Sequence, residues 1–258
     1  MTSFRKTLSK NIPNIFTMLN LMSGCLAILL SFHDIALAGL MVLLAGFFDF
    51  ADGMAARIFN AYSDFGKELD SLADMVSFGV APSFILYQLL KMSLIVSNPL
   101  FNLELLKGTE ILILSSSFLP ALFTSVRLAK FNTSGDESVF RGLPSPSSGI
   151  FFASLGYILL TTDSESIQFL LLNTSLLLII NITISILMVT TLPMFTIKFR
   201  NLKFADNKIR YFFAIPSIFI FIYLGVKSIP LIILWYIILS VGMTVIPKMS
   251  AGSADRRD

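Results

Sequence analysis

Apolar residues along the chain fall in runs of about 20, separated by short polar or basic breaks. That is the length that crosses a bilayer as an α-helix. The runs do not alternate apolar with polar positions, which argues against a membrane β-barrel. Eight spans are predicted, over residues 14–32, 35–57, 66–90, 111–130, 146–160, 168–189, 211–226 and 230–246. Pro82 and Pro120 fall inside two of them, where neighbouring helices can re-satisfy freed backbone groups. Pro13 is expected at the first helical position of the first span.

Composition strengthens this picture. Of 258 residues, 55% are hydrophobic and 14% charged, and mean hydropathy is +0.81. A soluble domain of this length needs more polar surface. The expected architecture is all-α, a polytopic membrane bundle of about eight helices forming one integral-membrane domain over residues 1–258. It divides into a six-helix core at about 12–200, an extra helix pair at about 209–247 and a disordered tail at about 249–258. No cleavable signal peptide is expected, since the basic N-terminus leads into a run long enough to span.

Charge then orients the bundle. With both termini in the cytoplasm, 16 of the 19 basic residues fall on the cytoplasmic side, leaving Lys91, Lys107 and Lys227 opposite. The basic segment before Pro13 reads as an amphipathic surface helix or as an ordinary charged flank. Lys198, Arg200, Lys203, Lys208 and Arg210 form a membrane-facing anchor. No nucleic-acid partner is expected.

Cys25 and His33 are the only residues of their kind. This excludes intramolecular disulfides, thiolate clusters and Ser-His-Asp catalysis. Cys25 is expected to be a packing residue. His33, in the turn after the first span, lies at the opposite face from the one polar concentration in the sequence, "DFADGMAARIFNAYSDFGKELDSLAD" from Asp49 to Asp74. Within it Asp49, Asp52, Gly53, Ala56 and Arg57 share one helix face, and Gly66, Asp70 and Asp74 share another. Two antiparallel helices joined by a short turn would point four carboxylates at one another. Asp64 is off the pattern, and beside Ser63 it is expected to cap the third helix.

Four close carboxylates repel one another, and each charge near hydrocarbon costs about 2.5–3.5 kcal/mol. Divalent cations remove the conflict. All-oxygen ligation favours magnesium, manganese or calcium over zinc, and a pair of metals about 4 Å apart clamps a transferring phosphoryl group. Gly53, Ala56 and Gly66 leave room for a bulky ligand. Two other readings fit the spacing: solvated ends of two spans, and an ion pathway in a transporter.

Asp49-x2-Asp52-Gly53-x2-Ala56-Arg57-x8-Gly66-x3-Asp70-x3-Asp74 resembles, at every fixed position, the motif of the CDP-alcohol phosphatidyltransferase family. The resemblance implies that Asp49, Asp52, Asp70 and Asp74 ligate Mg2+ or Mn2+, about two ions per site. It implies that Gly53, Ala56, Arg57 and Gly66 accommodate nucleotide and diphosphate, and that Asp74 is the general base. Further stretches resemble the phosphatidylserine synthase branch: "IPNIFTMLNLMSG", "DSLADMVSFGVAP", "RLAKFN", "GLPSPSSG" and, more loosely, "LMVTTLPMFTIK". "RLAKFN" carries Lys130 where that branch is expected to have Arg. The implied substrates are CDP-diacylglycerol and L-serine, with CMP released in a cytoplasm-facing site of the cell membrane. The implied partners are membrane lipid and a second copy in a homodimer. The same chemistry with glycerol 3-phosphate, inositol phosphate or choline as acceptor is the alternative.

Outside the motif, Arg127, Lys130, Asn132 and Arg141 are candidates for the acceptor or a lipid phosphate, Arg being the better carboxylate clamp. Positive-inside anchoring accounts for the basic ones equally simply. Asn14, Thr17 and Asn20 place polar groups three apart on one helix, for nucleotide or for helix–helix contact. Ser145 is expected to cap a helix starting at Pro146.

Overall fold

The computed structural model describes residues 2–98, 101–133, 141–195 and 207–245, with side chains between Asn11 and Met243. Among them no strand occurs, and an isolated antiparallel bridge joins Arg141 to Pro193. The helices are α1 (Thr2–Ser31), α2 (Ile35–Phe59), α3 (Asp64–Asp74), α4 (Ala81–Ser97), α5 (Gly108–Ser116) and α6 (Leu119–Thr133). They continue as α7 (Ser145–Thr161), α8 (Glu165–Leu171), α9 (Thr174–Val189), α10 (Lys208–Leu224) and α11 (Ile229–Val245).

Four stretches are long and apolar enough to cross a membrane: Asn11–Ser31, Ile35–Phe59, Asp64–Ser97 and Lys208–Met243. The bent pairs α5–α6 (40°) and α8–α9 (59°) bring the number to six if each is one span. These bends correct the continuous spans predicted over 111–130 and 168–189. Pro120 sits at the second position of α6, where its missing N–H leaves no bond unmade, so the helix restarts there. Asn173 caps α9 by accepting from the Leu176 N–H at 2.9 Å.

Lys208–Met243 is not one rod. A straight 36-residue helix would be about 54 Å long. Here Phe212 meets Trp235 with ring centroids 5.5 Å apart, and Phe213 meets Tyr236 at 5.8 Å. The chain reverses at the 3-10 turn Gly225–Ser228, with Gly225 at φ +55°, so α10 and α11 form an antiparallel hairpin.

Pro13 lies inside α1 and not at its first position, because the helix runs back to Thr2. The basic segment that precedes it is therefore helical, as part of α1. The larger departure is between α3 and α4. Met75–Val80 is a π-helical segment, and with it Asp64–Ser97 is one continuous 34-residue helix. Pro82 supplies a physical reason: it lacks the N–H of the α ladder, and its ring crowds the carbonyl one turn back, so the preceding turn widens. The widened turn is clasped by small residues. A Cβ on Gly24 of α1 would lie 2.9 Å from Ser77 Cα, and one on Gly149 of α7 would lie 2.8 Å from Phe78 Cα. Gly79 itself lies against Thr124 of α6. Elsewhere Gly39 of α2 approaches the Ala153 carbonyl of α7 so closely that a Cβ would lie 2.5 Å from it. The core built on these crossings holds Phe78, Ile85, Leu86, Phe151 and Phe152, all buried.

Candidate functional site

The polar cluster is assembled by one tight reversal. Asn60 ends α2 at φ 47°, a left-handed conformation that Asn tolerates, and its N–H closes on the last turn. Three residues later the Ser63 hydroxyl accepts from the Gly66 N–H at 3.0 Å and starts α3. The cap is thus Ser63; Asp64 is the exposed first residue of the helix, not its cap. The reversal sets α2 and α3 side by side with their acids facing.

Carboxylate oxygens of Asp49, Asp70 and Asp74 come within 4.8 Å of one another. Asp52 is outside that trio; its Oδ2 accepts from Thr17 Oγ1 at 2.8 Å. Asp74 Oδ1 accepts from Asn20 Nδ2 at 3.1 Å, and the Asn20 carbonyl in turn accepts from Ser77 Oγ at 2.9 Å. So Thr17 and Asn20 make helix–helix contacts that orient two aspartates. Two acceptors here are buried and unpartnered, Asp70 Oδ1 and Asn20 Oδ1. Buried acceptors left without donors are costly, and a hard cation would satisfy Asp70 Oδ1, whose carboxylate belongs to the trio. The donor set is all oxygen, so the site fits Mg2+ or Mn2+.

The remaining motif residues lie at the rim. Gly53 is exposed and a Cβ there would meet nothing within 4 Å. Arg57 is exposed and Ala56 half-buried. Gly66 is half-buried, and a Cβ on it would come 3.2 Å from Asn14 Oδ1.

The four candidates outside the motif separate. Arg127 is half-buried, its Nη1 donates to Ser145 Oγ at 3.2 Å, and its charge interacts with Asp74. Ser145 is therefore the first residue of α7 and a partner of Arg127, without the capping bond expected of it. Asn132 belongs to the α3–α6 seam, donating to Ser71 Oγ at 3.0 Å and to Glu68 Oε2 at 3.5 Å. Lys130 and Arg141 are exposed. Of the distal basic run, Lys198, Arg200 and Lys203 lie outside the described residues, as do the branch-like stretch beyond Phe195 and the tail. Cys25 is exposed on α1 rather than packed.

Residues not anticipated as site residues also gather here. The Thr124 and Ser148 hydroxyls are buried with no hydrogen-bond partner, one turn from Arg127 and Ser145 respectively. Their signal in the sequence was weak, single hydroxyls in apolar helices.

Residues 10–187 match the family model described as CDP-alcohol phosphatidyltransferase. The chain is 37% identical over 172 residues to the CDP-diacylglycerol–serine O-phosphatidyltransferase of Bacillus subtilis, covering 63% of this chain and 86% of that one. It is 37% identical over 150 residues to the enzyme of the same name from Methanocaldococcus jannaschii, covering 58% of this chain and 61% of the relative. To the archaetidylserine synthase of Methanothermobacter thermautotrophicus it is 34% identical over 175 residues, covering 66% and 68%. The family match contains α1 from residue 10, α2 to α8 and most of α9, and leaves α10 and α11 outside. The chain belongs to the CDP-alcohol phosphatidyltransferase family.

Proposed function

We propose that the chain transfers the phosphatidyl group of CDP-diacylglycerol to the hydroxyl of L-serine, giving phosphatidylserine and CMP. The observation that carries this reading is the trio Asp49, Asp70 and Asp74 within 4.8 Å, with Arg127 in electrostatic reach of Asp74. The names of the relatives support serine as the acceptor.

Mg2+ or Mn2+ held by Asp49, Asp70 and Asp74, with Asp52 completing the set, would neutralise the diphosphate as charge builds on it. Gly53, Ala56 and Gly66 leave the helix backbones open to the nucleotide, and Arg57 lies at the same rim. Arg127 receives the serine carboxylate on its planar fork. The unpartnered Thr124 and Ser148 hydroxyls accept from the serine ammonium. Lys130 and Arg141, exposed at the mouth, draw anionic headgroups toward the site; Asn132 holds α6 against α3 beneath it. Asp74, fixed by Asn20, takes the serine hydroxyl proton. The freed oxygen forms a bond to the phosphorus next to diacylglycerol, the bond from that phosphorus to the CMP oxygen breaks, and CMP leaves with the electron pair. Among the described residues no Cys or His lies at the site to act as a covalent nucleophile, which favours direct displacement.

In this reading the chain is a single membrane domain of eight passes. The bent pairs α5–α6 and α8–α9 cross once each, α7 once, and the α10–α11 hairpin twice. Charge sidedness places both termini and the site on the cytoplasmic face of the cell membrane, and family resemblance supports a homodimer.

One experiment tests chemistry and orientation together. Purified protein with CDP-diacylglycerol and Mg2+ or Mn2+ is offered labelled serine, glycerol 3-phosphate, inositol phosphate and choline. Serine alone should enter lipid, with CMP released in equal amount. In sealed vesicles, external serine should be used when they are inside-out and not when right-side-out. Labelling of another alcohol replaces the acceptor; ion flux without CMP discards the enzyme.

A further inference from the structure

The α10–α11 hairpin lies outside the stretch that the family model matches, yet one of its side chains bonds the segment that holds the loop before α7. Tyr236 is 5% exposed. Its ring lies 4.9 Å from that of Phe195 and 5.8 Å from that of Phe213, and those two are 5.6 Å apart. The Tyr236 hydroxyl donates to the Phe195 carbonyl at 3.1 Å. Ser217, Ser228 and Ser240 of the hairpin, by contrast, donate back to carbonyls of the hairpin itself. A buried phenol is stabilised only if its hydroxyl is bonded. A phenylalanine would keep both of its ring contacts, so packing alone does not call for the oxygen.

The bonded oxygen is connected to Arg127 through the backbone. Phe195 lies in the segment after α9, and that segment holds the loop before α7. Gly142 N–H donates to the Leu192 carbonyl at 3.0 Å, Leu143 N–H to the Leu187 carbonyl at 2.9 Å, and Arg141 bridges to Pro193. Gly142, at φ +71°, permits the approach, since a Cβ there would lie 2.6 Å from the Met188 carbonyl oxygen. Two residues after Leu143 comes Ser145, which accepts from Arg127. Arg127 is therefore held from α7 through Ser145, and the loop that leads into α7 is tied through the segment holding Phe195 to Tyr236 of α11.

We propose that Tyr236 is a positioning residue for Arg127, through which the C-terminal hairpin sets how tightly the acceptor alcohol's carboxylate is bound. The inference rests on the reading of Arg127 as the acceptor clamp. The hairpin is in this respect the back wall of the acceptor pocket, added to a helical core that carries the nucleotide and metal residues.

Tyr236→Phe in the purified full-length protein removes one oxygen and no ring. The KM for serine should rise about five-fold, the worth of about one neutral hydrogen bond, while the KM for CDP-diacylglycerol stays within about two-fold. In an Arg127→Lys background, which lacks the planar fork, adding Tyr236→Phe should shift the serine KM by less than about two-fold, because the two act as one unit. Ser145→Ala, which cuts the same connection next to Arg127, should reproduce the acceptor-only shift, and it tests the connection at its far end should Tyr236→Phe fail to fold. An unchanged serine KM in both variants, equal shifts for both substrates, or full additivity with Arg127→Lys overturns the inference. Wild-type protein that labels a different alcohol removes serine and not Tyr236, since the same comparison is then read on that alcohol. Wild type that labels none removes the functional reading itself and the inference with it.

Discussion

A carboxylate that accepts a hydrogen bond from a fixed donor loses rotational freedom, and α1 fixes two of the four aspartates in this way. Thr17 holds Asp52 and Asn20 holds Asp74, from successive turns of one helix. Asn20 is fully buried, and its amide donates to Asp74 while its Oδ1 stays unpartnered. Its role is thus orientation of a ligand, and losses of this kind cost about 10–100-fold in metal affinity. Asn20→Leu, similar in volume and without a donor, should raise the Mg2+ or Mn2+ concentration for half-maximal activity by about that factor. Calorimetric titration of the metal without substrate should show the same shift. Unaltered binding would mean that Asp74 needs nothing from α1. The spacing of Asn14, Thr17 and Asn20 made these residues visible in the sequence. Whether they served ligand or neighbouring helix was not visible, because that depends on the rotation of α1 against α2 and α3.

At the scale of elements, the π segment Met75–Val80 follows directly on Asp74 and is packed from three sides by Gly24, Thr124 and Gly149. A widened turn at this point rotates everything before it relative to α4, so it sets the angle at which Asp70 and Asp74 meet α2. Gly149 and Gly53 make opposite predictions. Gly149→Ala drives a methyl to 2.8 Å from Phe78 Cα, and overpacking of this kind costs about 1–3 kcal/mol. It should lower the thermal midpoint in detergent and depress activity with it. Gly53→Ala meets open space and improves helix propensity by up to about 1 kcal/mol. It should leave the thermal midpoint equal or higher, yet reduce transfer if nucleotide packs on that backbone. Full activity in Gly53→Ala would remove the nucleotide from this face. The facing acid pairs were legible because helical period alone places them. The π turn was not, since Pro82 announces a disturbed ladder without saying whether it kinks, breaks or widens. The bends at 117–118 and 172–173 escaped for the same reason: hydropathy measures how much chain is apolar and not its direction.

For the whole molecule, hydropathy and charge made the helical class and the location of the acids readable, whereas the link from the last helix to Arg127 was not. Tyr236 and Arg127 are 109 positions apart, and no local pattern links them. One feature at the rim bears on how the protein meets its substrates. Gly53 opens outward between Phe50 and Met54, which are 68% and 48% exposed, so the approach to the acids is lined on its flank by side chains that belong in oil. A lipid donor arriving there comes sideways out of a two-dimensional film, while the acceptor arrives from three-dimensional solution. The donor's effective concentration is then its mole fraction in that film. Diluting the film with inert detergent or lipid, at fixed bulk amounts of both substrates, should slow transfer as the donor fraction falls and leave the acceptor KM where it was. A rate that follows bulk donor concentration instead would mean that the donor reaches the acids through water.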